Sequence, residues 1–325
     1  MTITAGDHEA RGARPETFGE VFDRIAASVA GAIHGKDDVI RAAITCLLAE
    51  GHLLVEDVPG VGKTSLAKAL ARALRLDFGR IQFTPDLLPS DVVGSSVWNA
   101  HDGSIEFHPG PVFTNLLLGD EINRASPKTQ SALLEAMEER QVTVEGTTRR
   151  TPDPFMVIAT QNPIEHHGTF PLPESQLDRF LMRLSVGYPD HRHEVALLTE
   201  ADHQHVLDRV APVTDPAGVA ALVRVAASVH VADALAGYVV DLASRSRHHA
   251  DVALGISPRA SLGLLRAARV RAAASGRNYV IPDDVKHLAI PVLAHRLVLS
   301  PAAASRGAEA EGFVQHLLET TPVPA

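Results

Sequence analysis

At 325 residues, 45% hydrophobic and 21% charged, the chain is long enough for one large domain or two ordinary ones and can bury a sizeable core. Its formal net charge of -9 gives no global basic field to draw it onto nucleic acid or acidic lipid, and its single cysteine, Cys46, excludes an internal disulfide framework and a multi-cysteine zinc site. The longest apolar region, 217–242, is interrupted by Arg224, His230 and Asp233, and residues 1–15 lack a signal-peptide layout, so the expectation is a cytoplasmic chain with no membrane span.

Residues 1–16 read as a loosely held polar tail. Thr17 and Glu20 have the spacing of a capping box, and Phe18, Val21, Phe22, Ile25, Val29 and Ile33 make one helical stripe. A second helix is expected over 36–50, ended by Gly51, with Cys46 a buried structural thiol inside its apolar run. Residues 52–66, HLLVEDVPGVGKTSL, then read as strand, glycine turn and helix start. In that context the turn of Pro59, Gly60, Val61 and Gly62, followed by Lys63, Thr64 and Ser65, reads as a phosphate-binding loop. Its backbone N–H groups and the helix N-terminus favour phosphate oxygens, Lys63 neutralises the outer phosphates, and the Thr64 hydroxyl suits Mg²⁺. The full pattern asks for glycine at position 57, where this chain has Asp57.

Further along, FGRIQF (78–83) predicts a strand, and residues 84–111 carry a β-hairpin with its turn at Asp102-Gly103, read as an insertion on the main sheet. NLLLGDE (115–121) is a short buried strand ending in two acids, and Ser126-Pro127 starts a helix that runs to about Arg140. VTVEG (142–146) suggests a second small hairpin, FMVIATQN (155–162) another buried strand, and PESQLDRF (173–180) a short helix feeding the last strand, LMRLSVGYP. Near-continuous apolar strands alternating with helices indicate an α/β fold with a parallel sheet covered on both faces, and ligands beyond the carboxyl ends of its strands. From Asp190 the pattern is helix only, expected near 191–200, 217–228, 232–246, 258–275 and 282–294, with linker composition over 202–216. The domain division is therefore a tail (1–16), an α/β core (17–190) and a helical domain (191–325).

Asp120, directly after a buried strand, can reach a metal held by Thr64, and Glu121 beside it can orient or deprotonate an attacking water. Asn162, just past the next strand, can hold that water through its side-chain amide. Arg179 and Arg259 are candidates for stabilising charge on a transferred phosphoryl group; an arginine in that role is worth about 10³ to 10⁵ in rate. The pairs His166-His167, His191 with His193, and His248-His249 lack the H-E-x-x-H spacing and read as solvated or capping histidines.

Taken together, DVPGVGKTSLAKAL, GPVFTNLLLGDEINRASPKTQSALLEAMEERQVTVEG, IATQNPIEHHGTFPLPESQLDRFLMR and ISPRASLGLLRAARVRA resemble the MoxR family of AAA+ ATPases, over roughly residues 20–300. The resemblance implies a P-loop NTPase core followed by an all-α lid, with ATP and Mg²⁺ as ligands. Residues 59–65 then correspond to the Walker A loop, Asp120 and Glu121 to the Walker B pair, and Asn162 to the first sensor. Arg179 corresponds to an arginine finger given across a subunit boundary, and Arg259 to the second sensor on the lid. It further implies a homo-oligomeric ring, usually hexameric, and chaperone-like work on client proteins, often ones with von Willebrand factor A domains, including maturation of metal-dependent enzymes by cofactor insertion.

Two other classes share such a core. A ring helicase acting on nucleic acid is disfavoured by the charge of -9 and the lack of a basic, aromatic-interleaved tract. A nucleotide-gated scaffold with little turnover has no need of an acid such as Glu121.

Overall fold

The computed structural model describes residues 16–163, 168–189, 191–199 and 206–323. The chain enters through two helices, α1 (Phe18–Ala30) and α2 (Asp37–Leu48). Thr17 caps α1 as expected: its side chain accepts from the Glu20 N–H while Glu20 returns the bond to the Thr17 N–H. The end of α2 differs from the expectation in its detail. The left-handed residue is Glu50 (φ +55), not Gly51. Gly51 is required for a different reason, since a Cβ there would lie 2.2 Å from the Leu181 side chain.

The strands follow as β1 (Leu53–Glu56), β2 (Phe78–Gln82), β3 (Gly94–Trp98), β4 (Ile105–Pro109), β5 (Leu116–Asp120), β6 (Gln141–Val144), β7 (Thr147–Arg150), β8 (Met156–Gln161) and β9 (Met182–Leu184). Five of them form the main sheet in the order β2-β5-β8-β1-β9, and every pairing is parallel. The pairs β3–β4 and β6–β7 are separate two-stranded hairpins outside that sheet, in keeping with the reading of insertions. Between the strands lie α3 (Lys63–Ala73), α4 (Pro89–Val93), α5 (Pro127–Glu139) and α6 (Glu174–Leu177).

The apolar strands look continuous in sequence but divide strictly by face. Leu53, Val55, Leu116, Leu118, Met156 and Ile158 point into one apolar cluster, with α1, α2 and α3. Leu54, Leu117, Val157 and Ala159 point into the other, with Leu133, Leu134 and Met137 of α5. This is the two-sided burial that a helix-covered parallel sheet demands. Gly119 belongs to β5 for a packing reason, since a Cβ there would approach the Phe83 ring to 3.0 Å. Cys46 is fully buried in the first cluster, and burial pushes its thiol well above its ordinary pKa.

The remainder is mostly helical: α7 (His191–Thr199), α8 (Pro216–Ala227), α9 (Asp233–His248), α10 (Pro258–Ala274), α11 (Pro282–Leu293), α12 (Pro301–Ser305) and α13 (Ala310–Thr320). The expectation of helix only is corrected here by a small antiparallel ribbon of β10 (Val252–Leu254) and β11 (Val298–Leu299). These strands are too short to show a period. The apolar cluster on the α1–α3 face continues without a break into α8, α9, α10, α11 and α13, so this region packs against the helices that precede the sheet.

Candidate active site

β1 stops at Glu56 and α3 starts at Lys63, leaving six residues to turn the chain over the carboxyl edge of the sheet. Gly60 (φ +85) and Gly62 (φ +92) occupy the left-handed region, and open space surrounds the position of a Cβ at each. The turn therefore presents bare backbone to a ligand, at the positive end of α3. Pro59 and Gly60 are exposed, and Val61, Gly62, Lys63, Thr64 and Ser65 are half-buried beneath them. The Lys63 ammonium donates to the Asp57 carbonyl oxygen at 2.8 Å. Burial pulls its pKa down, and the negative charges of Asp57, Asp120 and Glu121 oppose that shift.

Asp57, the residue at the missing glycine, is buried and fully engaged. Its Oδ2 accepts from the Gly187 N–H at 2.7 Å and from the Ser185 hydroxyl at 3.1 Å, and its Oδ1 from the Val58 N–H at 3.0 Å. The carboxylate thus straps the loop to the segment leaving β9. Neither Gly60 nor Gly62 is among its partners.

Next to the loop, β8 lies between β1 and β5 and brings three strand ends together. Thr160 of β8 acts as a relay: its hydroxyl accepts from the Glu121 N–H at 2.9 Å and donates to Asp120 Oδ1 at 3.2 Å. Asp120 Oδ2 accepts from Arg80 Nε at 2.7 Å. Glu121 sits in the left-handed region at φ +58, a conformation that costs a non-glycine residue about 1–3 kcal/mol and that the Thr160 bond helps to hold. The Glu121 carboxylate accepts from Gln82 Nε2 at 2.9 Å, with Arg124 at 3.4 Å. Asn162, immediately past β8, is buried.

Lys63, Thr64, Asp120, Glu121 and Asn162 therefore meet at one edge. Arg80, Gln82 and Thr160 join them there without having been identified from sequence. Asp120 and Thr64 offer hard oxygen donors that suit Mg²⁺, and the open glycine cradle suits a phosphate chain. Among the described residues no cluster of three or more His, Cys, Asp or Glu could hold a metal ion. Of the histidines, His248 bonds the Ser244 carbonyl, His249 accepts from the Asp251 N–H and His193 stacks on His34, while His166 and His167 lie outside the described residues.

Arg179 and Arg259 do not join that edge. Both bind Glu138 near the end of α5: Arg179 Nε reaches Oε2 at 3.0 Å and Arg259 Nη1 reaches Oε1 at 2.7 Å. Around them stand Glu50, Gly51 and His52, which precede β1. The Leu181 N–H donates to the His52 carbonyl at 2.8 Å. This is the amino-terminal edge of the sheet, separated from the loop edge by the four residues of β1, roughly 13 Å at about 3.3 Å per residue. The chain gathers the residues identified from sequence into two sets at opposite edges.

Residues 52–182 match the sequence profile of the ATPase family associated with various cellular activities (AAA), and residues 244–317 match that of the AAA lid domain. The chain is 41% identical to Chaperone MoxR1 of Mycobacterium tuberculosis over 93% of this chain and 82% of that protein. It is 36% identical to Protein MoxR of Paracoccus denitrificans over 92% and 95% of the two chains. The chain belongs to the MoxR family of AAA ATPases.

Within this MoxR-family chain, Lys63, Asp120, Glu121, Asn162 and Arg179 fall in the AAA match and Arg259 in the lid match. A protein of Bacillus subtilis named YeaC, itself uncharacterised, is 49% identical over 89% of this chain and 91% of its own length. A solved crystal structure of a Cytophaga hutchinsonii protein superposes with a TM-score of 0.88 at 34% identity, covering 95% of this chain and 96% of that one. No helix among the described residues is long and apolar enough to cross a membrane.

Proposed function

We propose that this MoxR-family chain hydrolyses ATP at a site completed by a neighbouring copy, and that the cycle drives chaperone-like remodelling of client proteins. The observation that carries the reading is the separation of two groups: the loop, acids and asparagine at one edge of the sheet, the two arginines at the other. Within one copy Arg179 and Lys63 stand at opposite edges, whereas head-to-tail contact in a ring would set the arginine edge of one copy against the loop edge of the next.

In that arrangement residues 59–65 cradle the phosphates, and Lys63 exchanges the Asp57 carbonyl for phosphate oxygen. Thr64 and Asp120 would hold Mg²⁺, which supplies neutralisation of charge on those oxygens. Asn162 orients a water, and Glu121, released by Gln82, takes its proton as the water oxygen bonds to the γ-phosphorus. The bond from γ-phosphorus to the bridging oxygen breaks, and ADP leaves with the electron pair. Arg179 and Arg259 of the neighbour stabilise the charge that develops.

The assignment of 17–190 as the core and 191–325 as the lid belongs to this proposal, as does a hexameric ring. Remodelling rests on the relative named as a chaperone. Clients with von Willebrand factor A domains and metal-cofactor insertion belong to the same family reading, and a cytoplasmic location is proposed from the sequence itself.

The direct test is Glu121→Gln in the full chain. ATP binding, read by calorimetry, is expected to stay within about threefold, while turnover falls at least about 100-fold, the scale of a lost general base. Unchanged hydrolysis would overturn the assignment of Glu121.

A further inference from the structure

At the amino-terminal edge of the sheet, Arg140, Arg179, Arg259, Arg266 and Arg296 line a cavity of about 110 Å³; among the described residues the carboxylates of Glu50 and Glu138 line it with them, and that of Asp178 lies against Arg296. Arg140 takes Glu50, with Nη1 3.1 Å from Oε1. Glu138 serves two arginines at once, one on each oxygen, Arg179 at 3.0 Å and Arg259 at 2.7 Å.

Arg296 also lines the cavity and is only 5% exposed. Its Nη2 donates to the carbonyls of Asp178 (3.1 Å) and Phe180 (2.8 Å), and its Nε lies 3.2 Å from Asp178 Oδ1. Its Nη1 has no hydrogen-bond partner among the described residues. The two arginine-bearing segments are also fastened to each other: the Ser257 hydroxyl, at the start of α10, donates to the Asp178 carboxylate at 3.0 Å. Anything that releases Arg179 from Glu138 therefore acts on Arg259 too.

The volume selects the ligand. At about 110 Å³ the cavity has room for a small group such as one tetrahedral oxyanion. It is well below the roughly 300–1,000 Å³ of sites that take a whole drug-sized molecule, so a nucleoside stays outside.

We propose that Glu138 is a built-in substitute for phosphate, parking Arg179 and Arg259 over this cavity until the terminal phosphate of a nucleoside triphosphate held by a second copy displaces it. The proposal rests on the reading above in which these arginines serve a neighbouring copy. Glu138 competes with that phosphate, so it sets how strongly one copy grips the nucleotide of the next. The exchange is purely ionic, and no covalent bond changes.

A structural ion-pair cluster and a phosphate parking site predict opposite results when Glu138 is neutralised. The probe is inorganic tripolyphosphate, titrated by calorimetry into the full chain carrying Lys63→Ala, which blanks its own loop. In that background Glu138→Gln is expected to tighten binding about threefold to tenfold, the worth of two half-exposed ion pairs released from competition. Glu138→Asp, one methylene shorter, is expected to fall between the two and serves if the Gln variant folds poorly. Adding Arg179→Ala and Arg259→Ala should abolish the gain. Unchanged or weaker binding in both Glu138 variants would overturn the proposal. Because this readout needs no turnover, a chain that binds as expected but hydrolyses no ATP removes the catalytic reading and leaves the parking site in place.

Discussion

At the scale of single residues, Asp57 shows how a departure from a motif can be a gain of structure. Glycine there would complete the loop pattern but would remove three hydrogen bonds, to Gly187, Ser185 and Val58. Asp57→Gly is therefore expected to destabilise the chain by about 1–3 kcal/mol, the cost of orphaning buried donors, rather than to improve it. A thermal melt checks this, and an unchanged or higher Tm would contradict it. The glycines, Lys63 and Thr64 were legible because their meaning is local: a strand, a turn and a helix start within fifteen residues. The partners of the acids were not. Arg80 and Gln82 look like ordinary strand residues, and only the β2–β5 register, which pairs Gln82 with Asp120, turns their ends toward the carboxylates. Glu138 was equally opaque, since its two arginines lie 41 and 121 residues further along.

Among the elements, the apolar period placed nearly every long strand and helix, because two-sided burial writes itself into composition. The short pieces β10, β11 and α12 leave no such trace. Helix α13 does: Phe313, Val314, Leu317 and Leu318 have helical spacing and are buried, a signal that the reading to 294 passed over. His52 shows what joins elements once formed. It precedes β1, its Nδ1 accepts from the Val157 N–H of β8 at 3.0 Å, and its Nε2 bonds the Met137 carbonyl of α5 at 3.0 Å. Burial pushes its pKa from its ordinary 6.5 down to about 3, and His295, on the Phe180 carbonyl, is pushed down to about 3 as well. The folded chain keeps both rings neutral where the unfolded chain would protonate them. Stability from each is thus whole above pH 6.5 and declines toward pH 3 by about 1.4 kcal/mol per unit. Between pH 6.5 and 5, His52→Gln should remove about 2 kcal/mol of the acid-induced loss in denaturant melts. An unaltered pH slope would contradict the linkage.

For the whole molecule, the parallel sheet acts as a spacer. It holds the phosphate loop, Asp120, Glu121 and Asn162 at one edge and the Glu138-bound arginines at the other, and the continuous core on the α1–α3 face fixes the helical region to it. The account stands or falls on whether the two edges work on each other between copies. Lys63→Ala and Arg179→Ala should each abolish ATP hydrolysis when assayed alone. Mixed in equal amounts and allowed to assemble, they should recover about a quarter of the unmodified rate, because at random an intact loop meets an intact arginine at one head-to-tail interface in four. Hydrolysis that stays absent at every mixing ratio, in samples shown to co-assemble, would contradict a site shared between neighbours.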